Sequence, residues 1–241
     1  MRLDPIRDLH VHSTYSDGAM TVDEIVEVAA RKGYSVGLAD HASPEDKIVH
    51  DAHLLAYLDA LERYPVYRSV ELDIELRADL SASTLAKLDY VIAGIHFLTV
   101  DRVQYFFWDP LALIPDPEEM VEQYIATAAA AMAERQMHIF AHPTLLPMTV
   151  RPENGHLWTP DRIQRLVAAG VANKVAFEIS GHWLVPSEEF LLEGLRQGAT
   201  FSLGSDGHGP DSMCDLAYPL AMIRKLGIGQ DRLFEPKRAG G

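Results

Sequence analysis

Two short stretches near opposite ends of the 241-residue chain carry side chains that could do chemistry together. The first is Asp8-Leu9-His10-Val11-His12. In the second, an apolar run from Ala199 to Leu203 breaks at Gly204 and presents Asp206-Gly207-His208. Residues two apart on a strand share a face, so His10 and His12 can reach one cation. Other apolar runs end in or contain single polar groups: Asp40-His41, Glu71, His96, His142 and Glu178. Imidazoles mixed with carboxylates suit zinc, manganese or iron. A bridging carboxylate can hold two cations about 3.5–4 Å apart, which clamps the attacking and leaving oxygens of a phosphoryl transfer. Convergence of all these positions on one metal cluster is the expectation.

Composition narrows the ligands and the partners. Cys214 is the single cysteine, which excludes an internal disulfide and a Cys-rich zinc site, whereas eleven histidines are many for this length. Any metal must therefore be held by His and carboxylates. The net charge of -14 argues against broad binding to nucleic acid or to an anionic membrane. No apolar run approaches the ~20 residues that cross a membrane. Met1 to Pro5 lacks a signal-peptide apolar stretch, so the expected location is cytoplasmic. The expected partner is a small phosphorylated substrate; oligomeric state is open.

The elements that must position these groups alternate. Strands are predicted at 7–11, 36–39, 70–76, 89–95, 138–141, 174–179 and 199–203. Thr21 and Glu24 form a capping box for a helix that Gly33 stops. Leu54, Leu55, Leu58 and Leu61 place a helix within 46–64. A short helix is expected over 81–88, and Asp116-Pro117-Glu118-Glu119 and Thr159-Pro160 start two more. Ser187 caps a helix ending at Gly198, and a last helix covers roughly 218–226. The aromatic-rich stretch 97–115 reads as a long loop and a candidate lid. Alternating strands and helices mean a parallel sheet with crossover helices, and seven such units suggest a closed or nearly closed barrel with its site at the strand C-termini. No repeat or linker divides the chain, so one domain over 1–241 is expected.

Here the sequence resembles the PHP (polymerase and histidinol phosphatase) superfamily. The matching stretches are Asp8 to His12 with Ser16-Asp17-Gly18, Ala39-Asp40-His41, Val70 to Asp73, Asp89 to His96, Ala141-His142-Pro143 and Gly204 to His208, in the family's order. The resemblance implies an α/β fold, a distorted (β/α)7 barrel, with three divalent metal ions. It implies that His10, His12, Glu71 and Asp206 hold the first metal. Glu71 would bridge to a second, held also by His96 and His142, and Asp17, His41 and His208 would hold the third. Many family members carry His at the Asp17 position. A metal-bridging hydroxide would form near neutral pH and attack phosphorus in line, which makes His10, His12, Glu71, Asp206 and His208 the expected catalytic set.

The expected function is therefore a metal-dependent phosphoesterase acting on a small phosphomonoester, histidinol phosphate or a nucleoside monophosphate. The competitors are a nuclease acting on nucleotides or single-stranded DNA, and a non-catalytic metal-binding domain. Glu71 and Glu75 share a strand face, and either could bridge; the family pattern favours Glu71. Glu178 is open between a second layer behind the ligands and a structural acceptor. Asp40 is expected to orient His41 or its loop. Arg102, Arg151 and His182 sit in rim loops as candidate substrate-binding residues. Phe106, Phe107 and Trp108 could line a pocket or pack in the core. His138, at the far end of its strand, is read as structural, and Cys214 as inert.

Overall fold

The computed structural model describes residues 3, 5–134 and 136–238. Seven strands run parallel: β1 (Ile6–Val11), β2 (Tyr34–Ala42), β3 (Tyr67–Asp73), β4 (Ile92–Gly94), β7 (Ile139–Phe140), β8 (Ala176–Ser180) and β9 (Phe201–Gly204). Between β4 and β7 the chain inserts an antiparallel hairpin, β5 (Phe97–Val100) and β6 (Val103–Phe106). The sheet order is β1-β2-β3-β4-β7-β8-β9. The last strand returns to the first through the turn that follows it. Val11 bridges Gly207, the Asp206 amide donates to the His10 carbonyl at 2.8 Å, and the His12 amide donates to the Gly207 carbonyl at 3.0 Å. The result is a nearly closed barrel, closed at the very turn that carries Asp206 and His208.

The crossover helices follow their sequence signals. In α1 (Val22–Lys32) the Thr21–Glu24 capping box is formed and Gly33 ends the helix in the left-handed region at φ 71°. Asp116 caps α4 (Pro117–Ala133), Thr159 caps α6 (Pro160–Asn173) and Ser187 caps α7 (Glu188–Gln197), each accepting from a first-turn amide. The remaining helices are α2 (Asp51–Leu61), α3 (Ala82–Leu85), α5 (Asn154–Leu157) and α8 (Ala217–Leu226). One apolar layer packs α1 and α2 on the first strands, through Ile25, Leu38, Leu54, Leu61 and Val70. A larger one packs α4, α6 and α7 on the later strands, through Tyr124, Phe140, Phe177, Phe190 and Phe201. Inside the barrel, Leu9, Ala39, Tyr90, Ile92 and Ile139 form a third group, and the Tyr90 hydroxyl donates to the Leu9 carbonyl at 2.7 Å. This interior is packed, so the chemistry is confined to the rim above it. Among the described residues no helix is long and apolar enough to cross a membrane.

Of the boundaries that differ from the sequence reading, three have a clear local reason. β3 ends at Asp73 rather than 76, because the Asp73 carboxylate accepts from the Glu75 and Leu76 amides and turns the chain. α2 starts at Asp51 rather than 46. The Ser43 hydroxyl bonds Asp46, the Asp46 amide returns to the Ser43 carbonyl, and the Asp79 amide takes the Val49 carbonyl, so 43–49 has partners outside a helix. The stretch 97–115 is not one loop, because its first ten residues pair as the β5–β6 hairpin.

Candidate metal centre

The nine candidate ligands meet at the C-terminal rim of the barrel. His10 on β1 and His12 just past its end are fully buried, and their Nε2 atoms face each other at 3.0 Å. Glu71 on β3 stands at the centre with its two oxygens turned apart. Oε2 lies 3.2 Å from His10 Nε2, 3.6 Å from His12 Nε2 and 3.3 Å from His41 Nδ1. Oε1 lies 3.3 Å from His96 Nε2 and 3.1 Å from His142 Nε2. Asp206 Oδ1 is 3.1 Å from His12 Nε2 and 3.6 Å from His10 Nε2. On the solvent side Asp17 Oδ2 is 3.2 Å from His208 Nε2 and 3.7 Å from His41 Nε2, and its Oδ1 is 3.7 Å from His12 Nδ1. Potential ligand atoms within 4.8 Å of one another form three groups: His10, His12 and Glu71; His41, Glu71 and His96; His12, Asp17, His41 and His208.

These residues fit divalent cations on three observations. Asp206 Oδ1 and the Nδ1 atoms of His12 and His142 are buried without a hydrogen-bond partner, which is costly unless something else satisfies them. The facing Nε2 atoms of His10 and His12 are two lone-pair positions on one point. The backbone also leaves space at the cluster: a Cβ at Gly94 would lie 2.8 Å from Glu71 Oε1, and one at Gly204 would lie 1.9 Å from Glu178 Oε1. A side chain at either position would displace a candidate ligand or its support.

Electrostatics are those of a site waiting for positive charge. Burial pushes the Glu71 and Asp206 carboxyls up, but neighbouring histidines, His10 first, hold both well below the usual carboxylate range. Burial pushes His10 down, but Glu178, Glu71 and Asp206 hold it well above its ordinary value. Against the same burial, Glu71 and Asp73 raise His96 to about 10, and Asp17 and Asp206 raise His208 to about 9. His41 goes the other way, to about 4, because burial and the His12 charge both oppose a second proton. Charged imidazoles at these positions supply positive charge to the carboxylates themselves. Binding metal must release those protons.

Behind the ligands stand residues that aim them. Glu178 Oε1 accepts from His10 Nδ1 at 2.7 Å, and its Oε2 accepts the His142 amide at 2.6 Å. The carboxylate can only accept, so His10 Nδ1 carries the proton and its Nε2 is free for the cluster. Asp40 holds the loop that follows β1: it accepts from the Ser13 amide and hydroxyl, the Ser16 hydroxyl and the Tyr57 hydroxyl at 2.7–3.0 Å. Asp8 Oδ1 accepts the Ser205 amide at 2.8 Å and fixes the turn before Asp206. His142 (φ 29°) and Asp206 (φ 49°) both take left-handed backbone, which costs an L-residue roughly 1–2 kcal/mol and which their surroundings enforce.

A model of the PHP domain matches residues 8–182. The chain belongs to the PHP domain family. It is 24% identical over 249 residues to a "Probable phosphatase" of Pectobacterium atrosepticum, covering 96% of this chain and 91% of that one. It is 25% identical over 241 residues to a "Probable phosphatase" of Syntrophotalea carbinolica, covering 94% and 90%. A 25% identical match over 232 residues is the "DNA polymerase/3'-5' exonuclease PolX" of Bacillus subtilis; this PHP chain spans 37% of that protein's length. Among solved structures, the "putative histidinol phosphatase hisK" of Listeria monocytogenes superposes with a TM-score of 0.59 at 11% identity, over 86% of this chain and 97% of that one. That likeness concerns the fold alone.

The rim of this PHP domain also bounds a pocket of about 400 Å³ over the cluster, lined by Phe97, Phe106, Trp108 and Trp183 and by Ser43, Glu45 and Asp46. Phe106 and Trp108 face it, whereas Phe107 is buried in the core. The three sequence-predicted substrate residues do not line it. Arg102 sits exposed in the β5–β6 turn at φ 68°. The Arg151 guanidinium is bonded to the carbonyls of Leu146 and Phe107 and lies over the Trp183 ring at 4.7 Å. His182 is exposed beside a neighbouring cavity, its ring edge-on to Trp183 at 4.5 Å. Glu75 lies past the end of β3 and is in none of the three groups of potential ligands, and His138 Nδ1 accepts the Val91 amide at the opposite end of the barrel.

Two residues at the centre went unread in the sequence. Asp73 Oδ2 lies 3.5 Å from His96 Nδ1; the same two-residue spacing that pairs His10 with His12 puts it on the face of Glu71 and could have found it. Trp183 donates its indole N–H to Asp206 Oδ2 at 2.7 Å, a contact across 23 positions that leaves no periodic signal.

Proposed function

We propose that this chain is a metal-dependent phosphomonoesterase that works with three divalent cations, zinc, manganese or iron, on a small substrate such as histidinol phosphate or a nucleoside monophosphate. The observation that carries it is the splayed Glu71 carboxylate, one oxygen toward His10 and His12 and the other toward His96 and His142. On this reading Glu71 would be shared by two cations, one held also by His10, His12 and Asp206 and the other by His96 and His142, while Asp17, His41 and His208 would hold a third. Divalent cations bound there supply the charge that activates water near neutral pH and that offsets phosphate oxygens.

The chain's own residues do the rest. Glu178 fixes the His10 tautomer, and Asp73 does the same for His96. The burial of Glu71 and Asp206 keeps their charge directed at the cluster rather than at solvent. The pocket admits the phosphoryl group from above and leaves the alcohol portion against Phe97, Phe106 and Trp108. Its volume of about 400 Å³ suits a small molecule, within the roughly 300–1,000 Å³ of ligand sites. Among the described residues no Lys or Arg lines it, and Glu45 and Asp46 do, so a polynucleotide's neighbouring phosphates would meet repulsion there. That favours a monoester over single-stranded DNA. The second reading, a phosphodiesterase, is favoured only by the 25% identity to the Bacillus protein named above.

The test is elemental analysis of the purified protein followed by phosphate release from histidinol phosphate and from nucleoside monophosphates, alongside degradation of labelled single-stranded DNA. Turnover of a monoester with intact DNA is the expected result. Degraded DNA with no monoester turnover selects the diesterase, and full metal content with no hydrolysis of either selects a non-catalytic metal-binding domain.

A further inference from the structure

We infer that Trp183 is a positioning residue that commits Asp206 to one-oxygen metal binding, and that Arg151 acts on the same oxygen pair by holding Trp183. The inference rests on the metal-centre reading above but not on any particular substrate. Its starting point is the division of labour within one carboxylate. Asp206 Oδ2 accepts the Trp183 indole N–H at 2.7 Å, while Oδ1 is buried, has no hydrogen-bond partner, and faces His12 Nε2 at 3.1 Å and His10 Nε2 at 3.6 Å. An indole nitrogen can donate and cannot accept, so this contact is chemically one-way. It occupies the oxygen that would otherwise be free to swing in and chelate. An Asp206 released from it could offer both oxygens to one cation, or rotate Oδ2 toward His208, whose Nδ1 lies 3.6 Å from Oδ1.

Trp183 is itself held from behind. The Arg151 guanidinium lies 4.7 Å over its ring, a cation–π contact. That guanidinium is not free to move, because Nε donates to the Leu146 carbonyl at 2.8 Å and Nη2 to the Phe107 carbonyl at 3.1 Å. The cationic head is thus spent on backbone and on an aromatic face, which gives Arg151 a use other than the phosphate. The chain of contacts runs from the segment after the β5–β6 hairpin, through Arg151 and Trp183, to the turn after β9. It joins three separate crossovers at one ligand oxygen. Partners behind metal ligands typically contribute about 10–100-fold in metal affinity.

The experiment measures metal binding without substrate. Zn²⁺ or Mn²⁺ is titrated calorimetrically into metal-free full-length protein, Trp183→Phe and Arg151→Met. Trp183→Phe keeps an aromatic ring and removes the donor, together with the second ring of the indole. It should weaken one ion of the set about 10-fold or more and leave the others unchanged. Arg151→Met, which leaves the indole in place, should weaken the same ion by less, about 3-fold. A structural role alone would not move the second readout: the indole N–H resonance that Trp183→Phe deletes should shift during Zn²⁺ titration of the parent and saturate with that ion. A folded Trp183→Phe with the parent isotherm, or an indole resonance that stays still while the ions bind, overturns the inference. A parent that binds no divalent cation overturns it together with the metal-centre reading. A parent that binds its ions and responds as stated, yet hydrolyses no phosphoester, leaves it standing and removes only the proposed reaction.

Discussion

His10, His12, Glu71, His142 and Asp206 expose at most 5% of their side chains and His96 exposes 13%, whereas Asp17, His41 and His208 expose 52%, 21% and 36%. The two halves of the cluster are built differently as well. The buried half grows from strand ends and is aimed by groups that are themselves buried: Glu178 on His10 and on the His142 amide, Asp8 on the turn before Asp206. In the open half Asp17 belongs to the loop between β1 and α1, and it accepts from the half-buried Ser16 hydroxyl at 3.3 Å. Burying ionised groups is expensive unless they are paired and hydrogen-bonded. The buried half therefore needs its supporting layer, and water serves the open half. On the three-cation reading proposed above, this difference divides the cluster into a fixed pair and a third site that exchanges, which the following experiments test.

The largest effect should come from removing a buried ligand. Asp206→Ala or His12→Ala should lose bound metal and turnover together, with kcat/KM down by roughly 10³-fold or more, since cation charge at the phosphate contributes several kcal/mol. Elemental analysis beside the phosphate-release assay reads both. Full metal-dependent activity in either variant would remove the ligand set proposed here.

Next comes the support without the ligand. Glu178→Gln keeps the shape and removes the charge that fixes the His10 tautomer. Metal affinity of the buried pair should fall about 10–100-fold, with less change at the open site. Equal weakening of every ion in calorimetric titration would show that the two halves are not separate.

How much of this was legible beforehand follows from where each group sits. Most candidate ligands, His41 of the open half included, sit at or just past strand ends, so strand periodicity and short polar breaks such as His10-x-His12 mark them directly. The barrel was legible for the same reason: seven apolar runs alternating with capped helices have few other solutions. Boundaries were not, because β3 and α2 are limited by side-chain bonds from Asp73, Ser43 and Asp46 that no period encodes. Nor was the hairpin, since its four-residue strands are short and its Asp101-Arg102 turn relies on positive φ at two residues without being an Asn-Gly pair. The supporting contacts were the least legible. Glu178 was left between two roles, and Trp183 was missed, because each reaches a partner on another crossover. Arg151 looked like a phosphate clamp because a rim arginine usually meets solvent or substrate; its guanidinium instead serves two carbonyls and an indole.

A smaller effect should separate the halves in time. Dialysis of loaded protein against a mild chelator should remove the ion at Asp17, His41 and His208 first, because its ligands are reached from solvent. The ions at Glu71 should persist until longer exposure. Metal content followed against time should show two phases, and a single phase for all ions would break the comparison at its root.

The finest cut is at Asp17 itself. Asp17→Asn keeps an oxygen in place and removes its charge, so the open site should lose about 10-fold in affinity while the buried ions hold. The loss should be smaller than for Glu178→Gln, because Asp17 is half exposed and solvent already screens its charge. Asp17→His goes the other way in chemistry. It exchanges a hard oxygen for an imidazole nitrogen beside His41 and His208, which should shift the open site's preference from manganese toward zinc. Competition calorimetry with the two metals distinguishes the outcomes. If Asp17→Asn weakens the ions at Glu71 as much as its own, then His12, which lies 3.7 Å from Asp17 Oδ1 and 3.6 Å from Glu71 Oε2, couples the two halves into one site. The exposure difference would then describe the surface and not the binding.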